Sequence, residues 1–214
     1  MPTIGEPWNP SWLSGTGEGV EFHSLADLQE WLRSHNISHD EWGRKGTPTK
    51  SVGDLWNEIS SGEAVMTENP ARRQIAAVSV EIEVDGRRLV EARQRLANGA
   101  VRERGSEPAE KMLPGETADI TAERCLREEL EVEGNRIELN ERTASNALKV
   151  IESPSYPGLT THYLLWKISA KVDDLPLEDF TTEEATGSNH EAVLTHYWEW
   201  HRRVDAPAAA QAAG

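Results

Sequence analysis

The 214 residues contain one cysteine, Cys125, so an intrachain disulfide is excluded and a reducing compartment is the expectation. No stretch approaches the ~20 consecutive apolar residues that a membrane-crossing helix needs, so no membrane association is expected. The opening MPTIGEPWNPSW has neither a basic start nor an apolar run. No secretory signal is expected there, and the expected location is cytoplasmic. Basic residues are scarce, with 22 Lys and Arg against 37 Asp and Glu and a formal net charge of −15. A surface of that sign repels a phosphodiester backbone, so stable nucleic acid binding is not expected. A small phosphorylated molecule escorted by Mg²⁺ remains compatible with it.

Phenylalanine and tyrosine are few (two and three), whereas tryptophan occurs eight times, at 8, 12, 31, 42, 56, 166, 198 and 200. Five of the eight fall in the first 56 residues, where aliphatic side chains are sparse. Two readings stand for them: the indoles build a small core, or they present a face to a protein partner or a second copy of the chain.

In chain order, residues 1–22 carry Pro7, Pro10, Gly15, Gly17 and Gly19 and read as a loose arm. Residues 23–62 read as a helical extension of two short amphipathic helices. Ser24 caps the first with Asp27 three residues on, and Ser51 caps the second with Asp54 three residues on. Leu25, Leu28, Trp31 and Leu32 give the first an apolar face; Val52, Leu55, Trp56 and Ile59 give the second its own. Residues 63–73 read as linker. From Ile75 the period becomes two, with Val78, Val80, Ile82 and Val84 as the apolar face. Asp85-Gly86 then turns the chain into a return strand over 87–95. Residues 100–108 read as a polar loop. Short strands are expected near Ile137–Leu139 and Leu148–Ile151, a loop over 153–159, and a strand burying Leu164, Trp166, Ile168, Ala170 and Val172. A long acidic loop follows over 173–191, then a last strand over 193–200 with Trp198 and Trp200 on one face. The tail 205–214 reads as disordered. Hairpins flanking one helix predict an α+β domain over 74–204 with a mixed sheet. A dinucleotide-binding repeat is excluded, since the loop before the helix lacks G-x-G-x-x-G.

That helix is the chemical centre. Pro114-Gly115-Glu116 leads into Ala118–Leu130, with Thr117 as its cap. Ala118, Ala122 and Leu126 form one line, with Leu130 at its edge, and should face the sheet. Thr121, Cys125 and Glu129 form the neighbouring line. Glu128 and Glu129 point ~100° apart around the axis. Hard divalent cations take oxygen ligands, so this acid cluster beside a glycine loop could hold Mg²⁺ against a pyrophosphate. The plainer reading is an acid-rich surface helix in which Arg124 and Glu128 form an i,i+4 pair.

The stretch resembles the Nudix box, G-x5-E-x7-R-E-U-x-E-E-x-G-U with U aliphatic. Glu116, Arg124, Leu126, Glu128, Glu129 and Val132 fill their places at the required spacing. Glu110 and Glu131 stand where the two glycines belong, and Cys125 stands where a Glu follows the Arg. The resemblance implies a Nudix-like α/β/α sandwich over roughly residues 74–202. It implies metal-dependent hydrolysis of a pyrophosphate bond in a nucleoside diphosphate linked to another group. Mg²⁺ or Mn²⁺ would then be held by Glu128 and Glu129, Glu116 would act as a support or outer ligand, and Arg124 would orient the acids. The general base is left unassigned, because Cys125 holds its usual place and a thiolate prefers softer metals. A compensating carboxylate could come from Glu178, Asp179, Glu183 or Glu184. Arg93, Arg95 and Tyr156 are candidate substrate contacts, through phosphate oxygens and ring stacking. The rival expectation is a catalytically impaired member of the fold that binds a nucleotide-like small molecule or a protein.

Overall fold

A computed structural model describes residues 2–9, 19–183 and 193–202. Trp12, Glu184 and the tail from 205 lie outside the described residues. Helices α1 (Leu25–Ser34) and α2 (Val52–Ser60) form where the caps predict them. The Ser24 hydroxyl accepts from the Asp27 N–H, and Ser51 and Asp54 complete a capping box.

Nine strands and a third helix follow: β1 (Val65–Thr67), β2 (Arg72–Val84), β3 (Arg87–Leu96), β4 (Val101–Ser106), β5 (Ala109–Lys111), α3 (Ala118–Leu130), β6 (Ile137–Glu152), β7 (Thr160–Val172), β8 (Phe180–Glu183) and β9 (Val193–Arg202). The ladder runs β6-β7-β2-β3-β9-β8, with β1 and β5 on β2 and β4 on β3. β2 and β7 pair in parallel over Arg73–Ile82, and the other pairs are antiparallel, which gives the mixed α+β sandwich expected. β2 and β3 pair only at Glu83↔Arg88 and Val84↔Arg87, beside the Asp85-Gly86 turn. The hairpin therefore opens, and two half-sheets diverge from its tip.

β2 sorts its side chains by the period of a strand. Ala76, Val78, Val80 and Ile82 enter the main core, with Leu164, Trp166 and Ile168 of β7, Leu89 of β3, Trp198 and Trp200 of β9, and the inner face of α3. Full burial contributes roughly 1.5–3 kcal/mol for each large side chain. Arg73, Ile75 and Ala77 point to the opposite face and line a cleft. A second core joins α1 and α2 to the sheet through Leu28, Trp31, Leu32, Trp42, Leu55, Met66, Tyr156 and Leu159.

Several expectations are corrected. Residues 63–73 hold β1 and the start of β2 rather than a linker, and 100–108 hold β4. One long strand, β6, replaces the two short ones, because its bulge between Asn140 and Ser145 breaks the pattern without breaking the strand. The segment 173–191 contains β8, which pairs with β9. The described part of the arm is packed rather than loose. Trp8 is buried in the main core, and its N–H and C=O bond Glu116 O (2.6 Å) and Gly115 N (3.2 Å). Trp31 and Trp42 are buried as well. No helix among the described residues is long and apolar enough to cross a membrane.

Candidate functional site

The turn before α3 is built for a tight fit. Gly115 takes φ +83°, a left-handed conformation that glycine adopts without cost, and Trp8 brackets it from the arm. Thr117 occupies the cap position, but its hydroxyl makes no cap bond; the Ala118 N–H is taken by Ile4 O instead, at 3.2 Å. At the far end, Thr182 Oγ1 donates to the Glu129 carbonyl and accepts from Trp198 Nε1 at 2.8 Å, fastening the last turn of α3 to β8 and β9.

Glu116, Arg124 and Glu128 meet, with Arg124 between the two acids. Glu116 accepts from Leu113 N (2.8 Å), Thr121 Oγ1 (2.9 Å), Arg124 Nε (2.9 Å) and Arg124 Nη2 (2.9 Å). Burial pushes its pKa up, but these donors and the Arg124 charge hold it below the usual carboxylate range. Glu116 is therefore a support, with little lone-pair capacity left for a cation. Arg124 also donates to Glu128 at 3.1 Å and to the Lys111 carbonyl at 2.6 Å. Cys125 is wholly buried in the main core, and burial with the nearby Glu129 and Glu110 charges pushes its thiol pKa well up. It is a small apolar side chain rather than a ligand. Glu129 is 6% exposed, and its Oε2 makes no hydrogen bond among the described residues. Burial, then the Glu91 charge, lifts its pKa well above the ordinary value.

A cleft of about 300 Å³ opens above these residues, between β2, β4, β9, α3 and the 153–159 loop. Its walls carry six cationic side chains, Lys50, Arg73, Arg102, Arg104, Lys111 and Arg124, beside Glu58, Glu63, Glu110, Glu128 and Glu129. Glu58 of α2 is the hub of one end. It meets Arg73 at 2.5 Å, Lys111 at 3.0 Å and Lys50 at 3.2 Å, and accepts from Tyr156 Oη at 3.1 Å. Burial alone pushes its pKa up, yet those three cations draw it well below the usual range. Glu91 sits deeper, 2.6 Å from His196 Nδ1 and 3.0 Å from Arg104 Nε.

Tyr156 is thus corrected from a stacking platform to a buried part of the second core: its ring packs under Arg73 and its hydroxyl is spent on Glu58. Arg93 and Arg95 lie outside the cleft lining. Arg93 rests on Tyr197 and faces Glu199 at 3.6 Å; Arg95 faces Glu183 at 3.6 Å. Of the acids in the 173–191 segment, Asp179 accepts from Trp200 N and Glu183 from Thr195 Oγ1, and among the described residues none of them lines the cleft.

The expected Mg²⁺ or Mn²⁺ site is not reproduced by these donors. Glu116 is saturated, Glu128 is held by Arg124, Cys125 is in the core, and Glu129 alone offers a free buried oxygen. Among the described residues no group of three or more His, Cys, Asp or Glu is placed to hold a metal ion.

The charged and polar side chains at and beneath the cleft that the sequence did not single out include Glu58, Arg73, Glu91, Arg102, Arg104, Lys111 and His196. Two signals pointed to them. Glu58 sits three residues after Leu55, on the apolar face of α2, and Arg102 and Arg104 alternate in a stretch read as loop.

No protein-family model and no curated protein matches the chain. Among solved structures, the chain is similar to an Ap4A hydrolase binary complex from C. elegans, with 18% identity over 60% of this chain and 79% of that one (TM-score 0.33). It is similar to DR0079 from Deinococcus radiodurans at 18% identity over 59% and 66% (TM-score 0.31). The E. coli ORF135 protein is 22% identical over 60% and 73% (TM-score 0.29).

Proposed function

We propose that the chain is a Nudix-type scaffold that binds a nucleotide-like, phosphorylated small molecule in this cleft, with its metal-dependent hydrolytic machinery reduced. The observation that carries the reading is the charge of the cleft wall: six cations face five carboxylates there, on a chain where acids outnumber bases 37 to 22. A nearly balanced, recessed wall spares an anion the repulsion that the strongly acidic chain presents elsewhere. The box spacing supports the family, and the burial of Cys125 where a carboxylate belongs, with no group of three or more His, Cys, Asp or Glu placed to hold a metal among the described residues, supports reduced chemistry.

Residual hydrolysis of a pyrophosphate bond with Mg²⁺ or Mn²⁺ is the second reading. It is favoured by Glu129, whose buried Oε2 lacks a partner among the described residues at the cleft wall. One experiment separates the two. A panel of nucleoside diphosphate compounds is titrated calorimetrically in EDTA, and product release is followed in Mg²⁺ and in Mn²⁺, for wild type and Glu129→Gln. Binding in EDTA with no product is the expected result. Turnover that needs the metal and vanishes in Glu129→Gln would move the assignment to hydrolysis, and absence of both binding and turnover would sink both readings.

A further inference from the structure

Five of the six cations in the cleft wall have a carboxylate close by: Arg73 at 2.5 Å, Lys111 at 2.5 Å, Arg124 at 2.9 Å, Arg104 at 3.0 Å and Lys50 at 3.2 Å. Arg102 is the exception. Its Nη1 donates to Ser155 Oγ at 3.0 Å and its Nη2 to Gln94 Oε1, both neutral acceptors. Its Nε is buried with no acceptor among the described residues. The nearby acids are already engaged, Glu91 by Arg104 and His196 and Glu58 by Arg73, Lys111 and Lys50. Burial, then the neighbouring Arg104 charge, brings the Arg102 pKa down to about 10. The Glu91 and Glu58 charges reach it only partly, and a guanidinium desolvated with no carboxylate bonded to it among the described residues is costly to fold around. The missing charge is that of an anion able to accept several N–H bonds at once, which a phosphate oxygen set does.

We propose that Arg102 is the centre of the subsite that takes the phosphate group of the ligand, with Arg104, Lys50 and Ser155 completing it; this assignment rests on the cleft being the ligand site. Lys50 is close enough for the Arg102 charge to act on it, and its backbone N–H is fixed to the Ser155 carbonyl at 3.0 Å. The Ser155 hydroxyl accepts from Arg102, and its own hydrogen has no acceptor among the described residues. Arg102 thus positions both a charge and a second donor. Glu129 and Glu110, which form no ion pair among the described residues, lie on α3 and just before Lys111 on β5. The cleft is bipolar, and the phosphate belongs at the β4 end.

The test uses the full chain, inorganic pyrophosphate and inorganic phosphate in EDTA at matched ionic strength, read by thermal melting and calorimetry. Wild type is expected to gain melting temperature with pyrophosphate and not with equivalent NaCl. Arg102→Met is expected to bind about 10- to 100-fold more weakly, the range for one charge-assisted contact, and to lose the ligand-dependent shift. Its ligand-free melting temperature should stay within a few degrees of wild type, and Arg142→Met on β6 should behave as wild type. Ser155→Ala, expected to lose a smaller part of the affinity, reads the same subsite should Arg102→Met fail to fold. Unchanged pyrophosphate affinity in Arg102→Met, or in Ser155→Ala where that variant alone folds, would overturn the subsite. If nucleoside diphosphates bind both variants as they bind wild type, the subsite falls and the cleft reading stands. If wild type binds no phosphorylated compound, both fall.

Discussion

The two ends of the cleft treat charge in opposite ways. At the Glu58 end one carboxylate meets three cations and a tyrosine hydroxyl, all buried or nearly so. At the Arg102 end a guanidinium rests on an amide and a hydroxyl, with no carboxylate bonded to it among the described residues. The residue types are alike, and the difference is closure. The closed end joins α2 to β2, β5 and the 153–159 loop, so the Glu58 pairs with Arg73 and Lys111 serve the fold, while Lys50, on Glu58 and tied to Ser155, joins the two ends. The open end leaves electrostatic demand for something the chain does not supply. Residue counts alone would call both ends basic; pairing separates a joint from a binding site.

The sharpest way to break this contrast is to open the closed end. Glu58→Gln keeps the shape and removes the charge, leaving Arg73 and Lys50 without their carboxylate partner while Lys111 keeps Glu63. A loss of about 3–5 kcal/mol is expected in urea unfolding, the usual result of orphaning a buried ion. The pH dependence has a definite sign. The folded pKa of Glu58 is depressed, so its contribution is fully present above the ordinary carboxylate pKa and is lost as pH falls through the folded value. Wild type should therefore lose stability on acidification, and Glu58→Gln should lose less. A loss under 1 kcal/mol in Glu58→Gln would mean that the joint is not built on this charge.

How much of this was legible varies with the physics involved. α1, α2 and α3 were readable because caps and 3.6-residue periods are local. The faces of β2, β7 and β9 were readable because alternation is local too. β1, β4 and β8 were not, because short strands are defined by a partner, and the partners lie elsewhere in the chain. The turn and helix over 114–130 were readable from Pro114-Gly115 and the 3.6-residue period, but spacing does not say where a side chain ends. The Arg124–Glu128 pair was readable as an i,i+4 contact, whereas the reach of Arg124 back to the turn at Glu116 depends on how turn and helix fold together. Tyr156 looked like a ligand platform because a Pro- and Gly-rich loop reads as exposed; α1 and α2 cover it. Glu131 stands where the resembling pattern has a glycine, and it takes the left-handed conformation that favours glycine (φ 55°).

The box departures allow a second break of the contrast, smaller than the first. Cys125→Glu restores the motif in sequence, but places a carboxyl group at a wholly buried position of the main core. A cost of about 3 kcal/mol is expected from overpacking and desolvation together, with no gain of Mg²⁺-dependent turnover. Cys125→Ala should cost about 1 kcal/mol, a small large-to-small change. Chemical unfolding with a product-release assay on the folded fraction checks both. Gain of turnover in a stable Cys125→Glu would place that side chain in the cleft after all.

The smallest expected effect has the opposite sign and concerns the other unclosed charge, Glu129. Its folded pKa is raised, so between the ordinary carboxylate value and the raised one the native state holds more protons than the unfolded state. Stability then falls as pH rises through that window and is fully present below it. Glu129→Gln removes the titration while keeping the shape. It is expected to be more stable than wild type by on the order of 1 kcal/mol near neutral pH, since it removes a poorly solvated charge in exchange for a less costly buried amide. The advantage should shrink to nothing on acidification below the ordinary carboxylate range. Melting temperatures of both proteins across pH test the slope as well as the size. A destabilised Glu129→Gln at neutral pH would show that Glu129 is closed in solution like Glu58, and the contrast between the two ends would then rest on Arg102 alone.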